Sequence, residues 1–414
     1  MSVLPRLGTD GRPTVLAVTS EAPWPLDSGG HLRTFHLLSA LARRFDVRLV
    51  TSHGTSAKSV AALRRVGIYV LPAAVASRGW PRELSRAVAC AARRTPFVLY
   101  GRHHHASTAR LIEAEIARQP PDLLYLDHLD SLGFYTHRAS IPVVADLHNV
   151  YSTLVRRTAD ESRPWPMRVY LRREARLLEA AERLAARRAD TLFASSNDDC
   201  DSFRRLGARH VRLVPNGIDC AAHETLPVGR FGTAPLILYV GTMSWEPNAR
   251  AAVFLANDVL PRIKRQFPNA RLRIVGRDPT RDVRALSAQP DVEVTGRVPD
   301  MAPHLAAAHL LAVPLEAGGG TRLKILEAFA AGLPVVSTAV GAEGIDAIHE
   351  RDIVIADRAA FADAIGNLLR QPTVAQGLAE RARLLARERY DWSAIGETAS
   401  TAVAELVERS VRAS

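Results

Sequence analysis

Twice along this chain of 414 residues, short runs of Val, Leu, Ile and Ala trade places with helix-length segments, and between the two series the pattern stops. In the first series residues 14–20, 46–51, 68–72, 122–126, 143–145, 191–194 and 211–214 read as strands, with helices over 30–44 and 57–65. These runs do not alternate polar with apolar, so the strands are expected to be covered on both faces, as in a parallel sheet flanked by helices. Residues 216–235, rich in Gly, Pro and Thr, interrupt the pattern. It resumes with strands at 236–240, 271–275, 292–295, 309–313 and 335–337 and a helix over 249–267. The expected fold class is α/β, with two Rossmann-like doubly wound domains facing a cleft. Residues 1–215 form the first domain, 216–234 a linker, 235–385 the second domain, and 386–414 a helical tail able to pack back on the first. A chain of this length exceeds what one core fills.

Ligands in such sheets sit at the carboxyl ends of strands, and the glycine turns fall there. The densest runs Gly318-Gly319-Gly320-Thr321-Arg322-Leu323-Lys324-Ile325-Leu326-Glu327-Ala328-Phe329-Ala330-Ala331-Gly332. It follows an apolar strand and opens into a helix, whose free N–H groups and positive dipole end attract anions. Thr321, Lys324 and Glu327 share one helical face by their spacing of three, while Ile325, Leu326 and Phe329 make the buried one. A cation and a carboxylate beside an anion-binding turn suit a ligand with phosphates at one end and hydroxyls at the other. As an ordinary turn, Lys324 and Glu327 would be a solvated pair worth at most about 0.5 kcal/mol. Lysine before glutamate is the weaker helical orientation for such a pair, which favours the ligand reading.

Composition narrows the classes. Hydrophobic residues at 47% and charged residues at 23% describe a folded protein. Cys90, Cys200 and Cys220 stand far apart without metal-ligand spacing, which argues for a reducing compartment. Residues 1–13 lack a signal peptide's apolar stretch, and no apolar run is long enough to span a bilayer. The expected location is the cytoplasm. No Gly-x-Gly-x-x-Gly follows the first strand of either series, and no Gly-x4-Gly-Lys-Ser/Thr occurs, which disfavours a nicotinamide oxidoreductase and a P-loop NTPase.

The net charge of +11 could serve nucleic acid, anionic lipid or phosphorylated substrates. No basic strand interleaved with aromatics is present to stack bases, so no nucleic-acid partner is expected. Residues 167–188 hold Arg168, Arg172, Arg173, Arg176, Arg183, Arg187 and Arg188 around a loose stripe of Leu171, Ala175, Leu178, Ala181 and Ala185, with Trp165 just before. This helix fits an anionic surface on the inner face of the cytoplasmic membrane, or equally its own domain. His103-His104-His105 reads as an exposed loop or helix start.

At this point the residues resemble glycosyltransferase family 4, the retaining, group 1 type transferases of GT-B fold. The likeness rests on Gly29-Gly30-His31-Leu32-Arg33, Asp146-Leu147-His148-Asn149, Val214-Pro215-Asn216-Gly217-Ile218-Asp219, and the block from Val313 to Thr338. The form of that block is similar to a subgroup found in bacterial polysaccharide assembly. By matching motif, the resemblance implies that Arg322 and Lys324 hold the diphosphate of a nucleotide sugar and Glu327 its ribose. Gly319, Gly320 and Thr321 belong to the same donor site. Gly29 and Gly30 would let the backbone close over the phosphates, and His148 would sit beside the transferred sugar. Gly241 and Val298 lie in segments that match donor-site loops. Arg33 and Asn149 are candidates on the acceptor side.

Two positions depart from the family pattern. A Glu usually found eight residues before the ribose Glu is Gly319 here, with Glu316 three residues earlier. The basic residue common after the first C-terminal strand has no counterpart in Gly241-Thr242-Met243-Ser244-Trp245-Glu246, and Arg250 matches it poorly by position. The resemblance implies transfer from a nucleotide-sugar donor to a glycan or lipid-linked acceptor, with no metal and no cofactor beyond the donor. A nucleotide-sugar epimerase of the same fold and an inert GT-B-like binding subunit are the rival readings.

Overall fold

The computed structural model describes residues 11–53, 55–73, 80–97, 103, 105–134, 141–160, 164–223, 234–317 and 322–413. The chain divides into two compact units, Met1–Pro215 with Ile395–Ser414, and Asn216–Ala394.

In the first unit the strands are β1 (Thr14–Glu21), β2 (Asp46–His53), β3 (Ile68–Pro72), β4 (Leu123–Asp127), β5 (Val143–Leu147), β6 (Thr191–Ala194) and β7 (Val211–Leu213). They form one parallel sheet in the order β3-β2-β1-β4-β5-β6-β7. β4, β5 and β6 are buried at every residue. Helices cover both faces, which is why the sequence shows apolar runs rather than alternation. Aspartates fix two strand starts: Asp122 accepts from the Thr14 amide at 2.7 Å, and Asp190 from the Val143 amide at 2.8 Å. Serine caps begin the helices Gly29–Leu41, Ala57–Arg65 and Asn197–Arg205, each satisfying a free N–H and worth about 1 kcal/mol.

The second unit carries β8 (Leu236–Val240), β9 (Arg271–Val275), β10 (Val292–Gly296), β11 (Leu310–Val313), β12 (Val335–Ser337) and β13 (Val354–Ile355), all parallel, in the order β10-β9-β8-β11-β12-β13. The helix expected at 249–267 begins earlier, at Glu246, and contains a wider turn over Leu255–Val259. Asn216 to His223, expected in a linker, belongs with this unit. Ile218 pairs with the segment around Asp391: its amide donates to the Tyr390 carbonyl at 2.7 Å, and its carbonyl accepts from the Trp392 amide at 3.1 Å. The tail divides at Ile395 rather than at residue 386. Beyond that point the helix Trp392–Ala413 lies against the helix Gly29–Leu41. A Cβ on Gly396 would stand 2.6 Å from that of Ala40, so only glycine permits this approach.

In both sheets the strand order turns at the first strand, between β1 and β4 in one and between β8 and β11 in the other. Crevices at such switch points, outside the carboxyl ends of the strands, are where open α/β sheets bind ligands. Among the described residues, no helix is long and apolar enough to cross a membrane.

Candidate active site

In the second unit, β11 precedes the glycine-rich segment of the sequence, and the helix Leu323–Ala330 follows it. Gly319, Gly320 and Thr321 lie outside the described residues. Ile325, Leu326 and Phe329 are fully buried, as their spacing predicts. Lys324 is half-buried rather than on an open polar face. Its Nζ donates to Asn248 Oδ1 at 3.0 Å and lies 5.0 Å from the centre of the Tyr239 ring. Burial, with the Arg322 charge beside it, lowers the Lys324 pKa to about 7, against the opposing pull of Glu327. Burial also raises the carboxyl pKa of Glu327, while His223 and Lys324 act to lower it. Arg322 is buried at the helix start and donates to the Val340 carbonyl at 3.3 Å.

Asn248 joins this set, and sequence reasoning missed it. Its Oδ1 also accepts from the Tyr239 hydroxyl at 2.9 Å, and its Nδ2 donates to the Thr242 carbonyl at 3.0 Å. The amide lies so close over Gly241 that a Cβ there would be 2.7 Å from it. Gly276 has φ +155, and a Cβ on it would meet the Gly241 carbonyl oxygen at 1.7 Å. Gly241 is thus constrained by packing from both directions. Val298 packs against the core of the unit. Glu316 is held by Arg250 at 2.6 Å and also pairs with Arg358, so the residues nearest the two missing family positions, Glu316 and Arg250, are engaged with each other.

The first unit assembles a second cluster at its own switch point. His148 follows β5 and is buried, its Nε2 2.9 Å from Asp127 Oδ1 and 3.6 Å from Asp146 Oδ2. Burial alone would lower the pKa of His148, but Asp127 and Asp146 override it and lift the value to about 9. This histidine is therefore an imidazolium near neutral pH. Asp127 accepts further bonds from the hydroxyls of Thr19 at 3.1 Å and Thr34 at 2.9 Å. His128 stacks on His148 with centroids 3.6 Å apart, and its pKa is lowered by burial and by the His148 charge. Gly30 lies over both rings: a Cβ there would be 3.5 Å from His128 Nε2 and 3.9 Å from His148 Nδ1. Gly29 precedes it as the first residue of the helix.

Asp127, His128 and His148 bring ligand-type atoms within 4.8 Å of one another, a grouping that the sequence did not reveal. Asp127 and His128 are 21 and 20 residues from His148, and only the pairing of β4 with β5 brings the three together.

Arg33 corrects an expectation. Far from facing an acceptor, it is completely buried, with Nε and Nη2 on the Asp146 carboxylate at 2.6–3.0 Å and Nη1 on the Val214 carbonyl at 2.6 Å. It supports the Asp146–His148 pair from below. Asn149 acts at one remove, through a hydrogen bond to Tyr151, whose hydroxyl lies 3.1 Å from His128 Nδ1.

Two Rossmann-like units with these switch-point clusters define a protein of GT-B fold. A family model described as Glycosyltransferase Family 4 matches residues 28–222, and one described as Glycosyl transferases group 1 matches residues 234–371. The chain belongs to the group 1 glycosyltransferases of family 4 type. It is similar to the glycogen synthase of Mycobacterium tuberculosis, 31% identical over 247 residues, 56% of this chain and 57% of that protein. A phosphatidyl-myo-inositol mannosyltransferase of Mycobacterium leprae is 29% identical over 196 residues, 44% of this chain and 50% of that one. The chain thus matches little more than half the length of these curated relatives. HepE of Anabaena, solved in complex with UDP and glucose, superposes with a TM-score of 0.63 at 15% identity, covering 95% of this chain and 100% of its own. Sucrose-phosphate synthase of Thermosynechococcus elongatus gives a TM-score of 0.68 at 18% identity, covering 96% and 100%.

Proposed function

We propose that this chain is a retaining glycosyltransferase that moves a sugar from a nucleoside-diphosphate donor to a glycan or lipid-linked acceptor in the assembly of a bacterial surface polysaccharide. One observation carries the reading: half-buried Lys324 stands beside Arg322 at the start of a switch-point helix, its Nζ between Asn248 Oδ1 and the Tyr239 ring and its pKa lowered to about 7 by burial and the neighbouring guanidinium, a state that an arriving diphosphate relieves. The UDP and glucose bound to HepE support a donor of this kind.

In this reading Arg322 and Lys324 hold the diphosphate, together with the backbone around Gly319, Gly320 and Thr321. Glu327 holds the ribose, Gly241 and Val298 border the donor, and Gly29 and Gly30 admit its phosphates to the backbone. His148 supplies fixed positive charge. Breaking the sugar–phosphate bond builds negative charge on the leaving diphosphate, and removing one group that stabilises it costs about 10²–10³ in rate. The acceptor hydroxyl attacks from the face the diphosphate leaves, and a phosphate oxygen takes its proton, without a protein nucleophile, metal or further cofactor.

The test is calorimetric titration with UDP, GDP, ADP and TDP of the wild type and of Lys324→Ala. Micromolar binding of one nucleotide, lost in the variant, supports the assignment; binding of none overturns it. Donor epimerised without transfer would instead mark an epimerase, and donor bound without turnover an inert subunit.

The apolar stripe that suggested membrane contact largely faces the core: Ala175, Leu178 and Ala185 are buried. The membrane reading rests instead on Trp165, Met167 and Val169 at the start of the helix Trp165–Arg188, and on Trp80, Leu84 and Val88, which lie one turn apart on the helix Trp80–Arg93 and are all exposed. We propose a peripheral site on the inner face of the cytoplasmic membrane. Sedimentation with anionic liposomes in low salt tests it, and failure to sediment removes it.

A further inference from the structure

Glu182 is completely buried, yet the chemistry proposed above makes no use of it. It stands on the core face of the helix Trp165–Arg188, between the buried residues Leu178 and Ala185, where an apolar side chain would be expected. Its carboxylate is turned towards residues 148–152, the short stretch that leaves β5 at His148 and enters the helix Tyr151–Asp160.

That stretch is held at almost every peptide. The His148 carbonyl accepts from the Ser195 hydroxyl at 3.0 Å, and the Val150 amide donates to Asp199. The Tyr151 amide donates to Glu182. The Ser152 amide donates to Glu182 Oε1 at 3.0 Å, and the Ser152 hydroxyl to Oε2 at 2.5 Å. The first amides of a helix have no partner inside it, and their aligned dipoles attract negative charge. A Ser, Thr, Asn or Asp at the helix's own start usually supplies the acceptor. Here it arrives from another helix, 30 residues along the chain.

A local cap would satisfy the same amides without a buried carboxylate, which costs far more in lost hydration. What Glu182 adds is a fixed distance: its two oxygens tie the first turn of one helix to the flank of another. The first residue of that turn is Tyr151, whose hydroxyl stands 3.1 Å from His128 Nδ1. The His128 ring in turn lies on His148, centroids 3.6 Å apart. A displacement of the helix start therefore reaches the imidazolium through a chain of direct contacts. Asp199 grips only Val150 and is shared with the Ser196 hydroxyl at 2.8 Å, so Glu182 is the support nearest Tyr151.

We infer that Glu182 is a positioning residue for the His128–His148 pair, acting through the main chain of Tyr151 and Ser152 without touching a substrate. Its effect on turnover rests on the transferase reading; its effect on the two imidazoles does not.

The test uses two substitutions that separate reach from charge. Glu182→Gln keeps the length and an acceptor oxygen without the charge. Glu182→Asp keeps the charge one methylene short, so the helix start must move to meet it. Both are compared with wild type at pH 8, above the value of about 7 to which burial pushes the Glu182 pKa. The readouts are the imidazole C–H resonances of His128 and His148 in the full chain, the affinity for UDP, and kcat per folded molecule. Glu182→Asp should move both sets of resonances and lower kcat by about tenfold to a hundredfold. Glu182→Gln should keep the resonances in place and kcat within about threefold. UDP affinity should stay within about twofold in both, since Arg322 and Lys324 belong to the other unit. In a Tyr151→Phe background Glu182→Asp should lose most of its effect, because the hydroxyl link is already cut. Should Glu182→Asp fail to fold, Ser152→Ala, which removes the hydroxyl bound to Glu182, takes its place with a fall in kcat of about threefold. A role in stability alone would leave the resonances and kcat of the folded fraction at wild type, and that result overturns the inference. So does a Gln variant as strongly affected as the Asp variant. If the wild type binds UDP yet transfers no sugar, the transferase reading falls and the resonances alone decide the positioning.

Discussion

Binding of a nucleoside diphosphate should take up a proton, and Lys324 is the reason. In the empty site its pKa is about 7 instead of 10.5, so at pH 8 only about a tenth of the molecules carry the ammonium. The difference corresponds to about 5 kcal/mol of lost preference for the charged form. A diphosphate within contact distance restores that preference, and the bound complex holds Lys324 charged. Affinity then follows the fraction already protonated. Between pH 7 and pH 9 the Kd for UDP should rise about fiftyfold, approaching tenfold per unit at the upper end. At pH 8 binding absorbs about 0.9 proton, so the calorimetric enthalpy changes from buffer to buffer in proportion to the buffer's ionisation enthalpy. The empty protein shows the opposite slope from this residue. Its folded pKa lies below the unfolded one, so the unfolded chain binds more protons, and stability rises from pH 7 towards 10. A Kd constant within twofold from pH 7 to 9, or an enthalpy at pH 8 that ignores the buffer, would refute the reasoning.

Other consequences concern the supports of the two clusters. Arg33→Ala strands the buried Asp146 carboxylate and should cost about 3–5 kcal/mol in urea unfolding, with little effect on acceptor KM in whatever remains folded; a stable variant with a raised KM would restore the acceptor role. His148, whose folded pKa is lifted from 6.5 to about 9, gives stability that is complete below pH 6.5 and lost as the pH passes 9. His148→Gln should therefore cost about 3 kcal/mol more at pH 6 than at pH 10, and equal costs at both would show that the imidazole is not held charged. Gly241→Ala drives a methyl into the Asn248 amide and removes the partner of Lys324. Overpacking of about 1–3 kcal/mol and UDP binding at least tenfold weaker are expected, and normal affinity would separate Asn248 from the donor site.

What could be read in the sequence was what is local. The parallel strands announced themselves as unalternated apolar runs, because helices on both faces leave no polar side. Lys324 and the buried face of Ile325, Leu326 and Phe329 follow from spacing within one helix. β13 escaped notice because two residues make no pattern. The Asp127–His128–His148 cluster escaped because strand order, not sequence spacing, makes it: β4 and β5 run side by side, and their ends meet. Arg33 misled for the same reason. A charged residue in a helix after two glycines suggests a surface, and only the placement of Asp146 beneath it turns it into a buried strut. Asn248 lay hidden likewise, 76 residues from the lysine it contacts.

The two switch points hold acid–base states opposite to those their residue types suggest. Histidine, the usual base near neutral pH, is locked as a cation by two carboxylates, and lysine, the usual cation, is poised near half charge. A proton leaving the acceptor below pH 9 therefore does not go to His148, which is consistent with its going to the departing phosphate. Lys324 in turn gains most when negative charge is greatest. An interaction that strengthens as the leaving group develops charge accelerates the reaction, whereas one equally strong beforehand only tightens binding. kcat/KM for transfer should fall above pH 7 as Lys324 loses its proton in the free enzyme. Lys324→Arg keeps its charge at every accessible pH, so in that variant the fall should vanish even if the maximum rate is lower. Were the fall to persist with arginine in place, the titrating group would be another one, and the half-charged lysine would have no part in the chemistry.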